Sequence, residues 1–385
     1  MVQSATGDRT PAFAQDALYD RIYAVNAVVA IANSMGDLTE MMSWRQVEET
    51  YGFLDQLLPQ EVSERRRKSD WGPDFHYKAH ARPAGMGEDG QERHRLMCEA
   101  IIRKGGRVNV WDIARIWVEL IDPEKFGILL GPQDQVLYWS LRAGVPPTEV
   151  GRYATFPAFH GTTKMMLPVG LVNACNPKQA ALDARDCGRI KDTPGTNGSH
   201  ATGNYALDVA AGMAAGIAAA MLPNATVSST IDTALAELST PARTEVEIGL
   251  GWAKEHGDWK VLRELYEERY RGRPISNAVE VLSSALAVFY LADGDLEKSL
   301  LWSVNFGRDT DDRAADAGGL AAALNGSAGL RQEWLDTIDA AIVGDQWTVS
   351  RRSLADAARG LYDATLNAVE EARQHVRAVE ELLGR

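Results

Sequence analysis

Residues 304–326, VNFGRDTDDRAADAGGLAAALNG, place Asp309, Asp311 and Asp312 within four positions and Asp316 one helical turn further on. A run of Gly and Ala follows at once. Small residues at successive turns let another helix approach closely, so this segment belongs inside a packed helical assembly. The charge then falls at the helix start, where carboxylates cap free N–H groups and gain from the macrodipole.

Most of the remaining chain also reads as helix. ALYDRIYAVNAVVAIANSMGD repeats apolar residues at three- and four-residue spacing and stops at a Gly. ERHRLMCEAIIRKGG ends in Lys and paired Gly, a stop signal. NVWDIARIWVELI starts behind Asn109 as its N-cap, and SNAVEVLSSALAVFYLADGD opens at Ser276. Alternating strand patterns are scarce. The expectation is an all-α fold, a compact bundle in one domain over residues 16–365. It is preceded by a tail at 1–15 and followed by an amphipathic helix at 366–385, packed on the domain or on a second copy. The long Pro/Gly-rich stretches 69–90, 144–170 and 191–204 are the loops expected to carry function.

With 45% hydrophobic and 24% charged residues, the composition is that of a soluble globular protein. A net charge of −13 argues against broad nucleic-acid binding, and RRRK at 65–68 reads as a solvated face. Cys98, Cys175 and Cys187 show neither pairing nor metal-ligand spacing, which suits a reduced, cytoplasmic protein. The most apolar segment, 209–222, has 14 residues, too few to span a bilayer, so no membrane role is expected.

A second acidic segment, AGMGEDGQER at 84–93, also runs from glycines into a helix. Glu88, Asp89, Asp309, Asp311 and Asp312 are too many like charges to bury together without a cation. Mg²⁺ takes oxygen ligands, a few carboxylates completed by waters. A metal site built from two helix starts is therefore expected. The DDxxD spacing of helical terpene cyclases is not met, because Asp316 stands one residue too far from Asp311 and Asp312.

The late motif GRDTDDRAADAGGLAAALNG, 307–326, resembles that of the ADP-ribosylglycohydrolase family, G-G-D-T-D-T before a small-residue helix. In the same order along the chain, ANSMGDLTE at 32–40 is similar to the family's first Gly-Asp motif, and GEDG at 87–90 falls at its T-D-D-T. HGTTKMMLPVGL at 160–171 and NGSHATGNYALDVAAGMAAGI at 197–217 resemble two further segments, and the likeness spans about residues 20–365. The resemblance implies an all-α, orthogonal multi-helix fold with a dimetal Mg²⁺ site. It also implies hydrolysis of the glycosidic bond at a ribose, with ADP-ribosylated protein or an ADP-ribose derivative as substrate. A smaller nucleoside or ribosylated metabolite, or a non-catalytic ADP-ribose- or metal-binding relative, are the alternatives. Monomer and homodimer stay open.

By position, the resemblance makes Glu88, Asp89, Asp309, Asp311 and Asp312 the metal ligands. It makes Asp37, Glu40, Asp89 and Asp311 catalytic, Glu40 replacing a family glutamate whose place is taken by Trp44. His160, Gly161, Thr162, His200 and Asn204 fall in the segments that line the cleft and bind substrate. Three departures are visible. Gly87 and Gly90 stand where the family has hydroxyl ligands, leaving room for waters and for one or two ions. Asp312 replaces the last Thr of the late motif. Lys164-Met165 or Met166-Leu167 stands at a family Met-Arg dipeptide. Asp316 is expected to support the cluster or pair along the helix. Among Trp71, Phe75, Tyr77, Tyr153, Phe156 and Phe159, one or two are candidates to stack on a base.

Overall fold

The computed structural model describes residues 16–60, 82–126, 129–193 and 205–384. His200, Asn204, Trp71, Phe75, Tyr77 and the RRRK run lie outside them. Among the described residues there are helices and two isolated bridges, Gln60 with Arg82 and Phe159 with Asn277, but no strand. The expected all-α fold is what the chain adopts.

Two helices form the centre. The first, Ala17–Thr39, is buried at every position from Ala24 to Thr39, and Thr310–Asn325 is buried from Thr310 to Ala323. A helix buried on every face has no solvent side to keep, which suits a central position. They pack against each other along the small-residue stripe: a Cβ on Gly318 would lie 2.7 Å from Val28 Cγ1. Ala206–Ala220, likewise buried almost throughout, and Ala278–Leu291 complete this inner layer. The expectation of a buried small-residue helix in the 209–222 segment is met.

Amphipathic helices cover the centre. Asn109 caps Val110–Leu120 in a capping box with Asp112, worth about 1 kcal/mol. Ala278–Leu291 is capped one residue later than the sequence suggests, by Asn277, whose Oδ1 accepts from Glu280 N. The last helix, Leu354–Leu382, is continuous. Leu354, Ala358, Leu361, Ala364 and Thr365 bury its first half, and beyond Glu370 it runs out exposed. The loop at 144–170 holds a 3₁₀ turn, Val150–Tyr153, and two short helices, Gly161–Lys164 and Leu167–Val172. No helix among the described residues is long and apolar enough to cross a membrane.

Candidate metal centre

Both acidic segments do become helix starts. Asp309 is the residue before Thr310–Asn325, with Asp311 and Asp312 in the first turn. Glu88 caps Asp89–Lys104, its Oε1 accepting from Gly90 N at 2.8 Å. The C-terminal end of Ala17–Thr39 meets them, because Gly36 allows contact at backbone distance. A Cβ there would stand 2.3 Å from Asp311 Cα. Thr310 Oγ1 donates to Gly36 O at 2.9 Å and Thr39 Oγ1 to Val304 O at 2.8 Å, locking the crossing. The Gly-Asp pair at 36–37 is thus a packing requirement as much as a chemical one.

Beyond this crossing, Glu40 ends the first helix. Its neighbour Met41 has φ +66° and faces Arg308, also at φ +66°. The two are joined by Met41 N donating to Arg308 O at 3.0 Å, with Arg308 N donating to Met42 O at 2.7 Å. Left-handed backbone at a non-Gly residue is uncommon and costs on the order of 1 kcal/mol. Here it aims two adjacent carboxylates, Glu40 and Asp309, at one point. Arg308 is held by Glu280, with Nη2 3.0 Å from Oε2.

Glu40, Asp309 and Asp311 form a cluster in which one carboxylate oxygen from each lies within 4.8 Å of the other two. Asp309 and Asp311 are buried and Glu40 partly open. Asp309 Oδ2 is buried with no hydrogen-bond partner among the described residues. Burial, then the charges of Asp312, Asp311 and Glu40, push Asp309 well above the usual carboxylate range. Hard cations such as Mg²⁺ take oxygen ligands, and three carboxylate oxygens this close suit one. An unsatisfied buried carboxylate oxygen facing two others fits a hard divalent cation.

The other carboxylates meet a different partner. Lys164 Nζ lies 2.9 Å from Glu88 Oε1, 2.5 Å from Asp311 Oδ2 and 2.6 Å from Asp312 Oδ1. The side chain is fully buried. Burial alone would lower the Lys164 pKa, but Asp311, Asp312 and then Glu88 outweigh it and hold the ammonium charged. Glu88 is the weakest of the three counter-charges. Burial dominates it, and with Asp89 and Asp311 nearby it is pushed well up despite the lysine. Gly90 makes this possible, since a Cβ there would fall 2.1 Å from Nζ. The room expected for water at Gly90 is filled by an amine.

Asp89, a candidate for both ligand and catalyst, is gripped by Arg93 at 3.0 and 2.6 Å, and the same guanidinium holds Asp134 at 3.0 and 2.8 Å. Asp37 Oδ2 stands 3.5 Å from Arg82 Nη1, which also donates to Gly87 O at 3.0 Å. Asp37 and Asp89 therefore flank the cluster without joining the trio. His160 is buried, its Nε2 2.8 Å from Asp316 Oδ2. Burial would lower the imidazole pKa, but the Asp316 charge, with that of Asp312, outweighs it and raises it. Asp316 thus pairs across helices. Thr162 is buried and donates to Asp192 Oδ2 at 2.5 Å, and Gly161 sits against Arg93 and Lys191. Phe156 and Phe159 pack on each other at 5.2 Å, whereas Tyr153 is exposed.

The sequence reading did not give Lys164, Arg82, Arg93 or Asp134 a part in the cluster. The glycines of GEDG carried a signal: a helix start stripped of side chains has to accommodate something bulky.

Fold and cluster together define an all-α protein with a group of carboxylates from two helix ends placed to hold a metal ion. Residues 14–371 match the ADP-ribosylglycohydrolase family, and the chain belongs to it. Membership supports glycohydrolase chemistry on ADP-ribose-type substrates. Among solved structures the fold is similar to an ADP-ribosylglycohydrolase-related protein complex. The TM-score is 0.58 at 18% identity, covering 90% of this chain and 99% of that one. No curated protein matches the chain.

Proposed function

We propose that this protein is a Mg²⁺-dependent hydrolase of a ribosyl glycosidic bond, releasing ADP-ribose from a modified side chain or an ADP-ribose derivative. The observation that carries this reading is the Glu40–Asp309–Asp311 cluster with its unsatisfied Asp309 oxygen. Bound there, a divalent cation supplies Lewis acidity and a template for the ribose hydroxyls.

The chain's own residues do the rest. Glu40, the one partly open member, marks the side from which a sugar approaches. Asp311 and Asp312 put negative charge behind the anomeric carbon, where positive charge develops as the glycosidic bond lengthens. The Met41–Arg308 contact and the Thr310–Gly36 hydrogen bond hold these groups rigid, so little reorganisation accompanies reaction. Asp37 and Asp89, fixed by Arg82 and Arg93, are the candidates for handling the attacking water and the leaving group.

Calorimetric titration of ADP-ribose, with and without Mg²⁺, tests the substrate class. Micromolar, Mg²⁺-dependent binding is expected, followed by turnover of ADP-ribosylated protein that disappears in Asp309→Ala. Absence of binding would redirect the assignment to small ribosides. Turnover unchanged in both Asp309→Ala and Asp311→Ala would remove the cluster from the chemistry.

A further inference from the structure

Three carboxylates, Glu88, Asp311 and Asp312, reach one point from two helix starts, and the nitrogen at that point is 2.5–2.9 Å from an oxygen of each. An ammonium carries three N–H donors, and it faces one carboxylate from each of three residues. Two of the contacts, to Glu88 and Asp311, are hydrogen bonds. Asp311 also belongs to the Glu40–Asp309 trio, so the two positions share a carboxylate. The lysine is no chance visitor. Its side chain is fully buried, it emerges from the short helix Gly161–Lys164, and Gly90 is the one residue type that leaves it space.

We propose that Lys164 is a built-in cation: its ammonium occupies the second of two adjoining cation positions, and the chain binds a single divalent ion, at Glu40, Asp309 and Asp311. This rests on the cation assigned above. A metal ion at the Lys164 position would have to bind where Nζ already is, and both cannot use the same oxygens. The ammonium supplies one fixed charge without Lewis acidity or exchangeable ligands. It positions Asp311 and Asp312 and neutralises part of their charge, so this half of the site does not depend on metal concentration.

The test is a count of ions. Mn²⁺ is titrated into the full chain and the free ion read by electron paramagnetic resonance. Wild type is expected to bind one Mn²⁺ with the spectrum of an isolated ion. Lys164→Met, one atom shorter, vacates the Nζ position and removes the charge, and is expected to bind two, with the line broadening of a spin-coupled pair. Lys164→Gln serves the same purpose if the methionine variant does not fold, and the same second ion is expected. Two coupled ions in wild type overturn the proposal and leave the function intact. A single ion in a folded Lys164 variant also overturns it. No bound ion in wild type overturns the proposal together with the cation it rests on.

Discussion

Gly90 and Lys164 are complementary: a Cβ on the first would lie 2.1 Å from Nζ of the second, 2.2 Å from Cε and 2.3 Å from Cδ. A helix N-terminus normally gains from a side chain that caps it. This one keeps its cap in Glu88, but gives up a first-turn side chain at Gly90 and so receives a buried ammonium from another helix. Part of the charge that opens the chain's most acidic segment is thereby balanced internally.

Gly36→Ala tests the crossing of the two central helices. In an ordinary helix interior this change gains up to about 1 kcal/mol. Here the new Cβ would stand 2.3 Å from Asp311 Cα and 2.5 Å from its N, which are backbone atoms and cannot swing away. Overpacking of this kind costs about 3 kcal/mol or more. Urea denaturation should show that loss, and Mg²⁺ affinity should fall with it as Asp311 is displaced. A stabilised variant would mean the crossing is looser than described.

Asp309→Asn separates stability from function. The carboxylate is pushed up by burial and by Asp312, Asp311 and Glu40. A neutral amide relieves that repulsion, so the metal-free variant should be at least as stable as wild type, by about 1 kcal/mol. Wild type should melt higher when Mg²⁺ is added, by mass action on the folded state, and the variant should not. A wild-type rise in the variant would place the ion elsewhere.

His94 gives a pH dependence whose sign is fixed by burial. Its ring is fully buried with Nε2 2.9 Å from Asn26 Oδ1, and burial, aided by the Arg95 and Lys164 charges, lowers its pKa from 6.5 to about 3. The unfolded chain takes up a proton below about pH 6.5. The folded chain does not until near pH 3. His94 therefore costs no stability above pH 6.5, and an increasing amount as pH falls towards 3. The cost at pH 5.5 is about 1.4 kcal/mol. Between pH 7.5 and 5.5, wild type should lose that much more stability than His94→Gln in chemical denaturation. Parallel curves would show that the imidazole finds a proton inside the fold.

Asp316→Asn tests the buried pair beneath the cluster. Without the Asp316 charge, burial governs His160 and its ring should titrate lower than in wild type, as read from imidazole proton shifts. Because the pair is fully buried, removing one partner should also cost about 3 kcal/mol. An unchanged titration midpoint would leave Asp312 as the charge that holds the imidazole.

Fold class and the gathering of carboxylates at two helix starts could both be read from the chain. The periodicity of Ala17–Thr39, the stop after Lys104 and the Asn109 cap are local signals, set by neighbours within a turn or two. The small residues of Thr310–Asn325 announced a central helix because nothing else in a sequence permits such close approach. The density of acidic groups at two helix starts announced a cation, since like charges are not buried together without one.

Tertiary structure alone decided which carboxylate meets what. Glu40, set one turn from the family's expected position, reaches the trio because left-handed Met41 and Arg308 turn their loops together. Asp89 and Asp37 go to Arg93 and Arg82, and Glu88 and Asp312 go to Lys164, 76 and 148 residues away along the chain. An ion pair depends on the distance between charged ends and on the water excluded between them. Neither quantity is a property of a sequence segment. Composition sets how much charge the core must accommodate, but the helix crossings determine whether an ion or a lysine balances it.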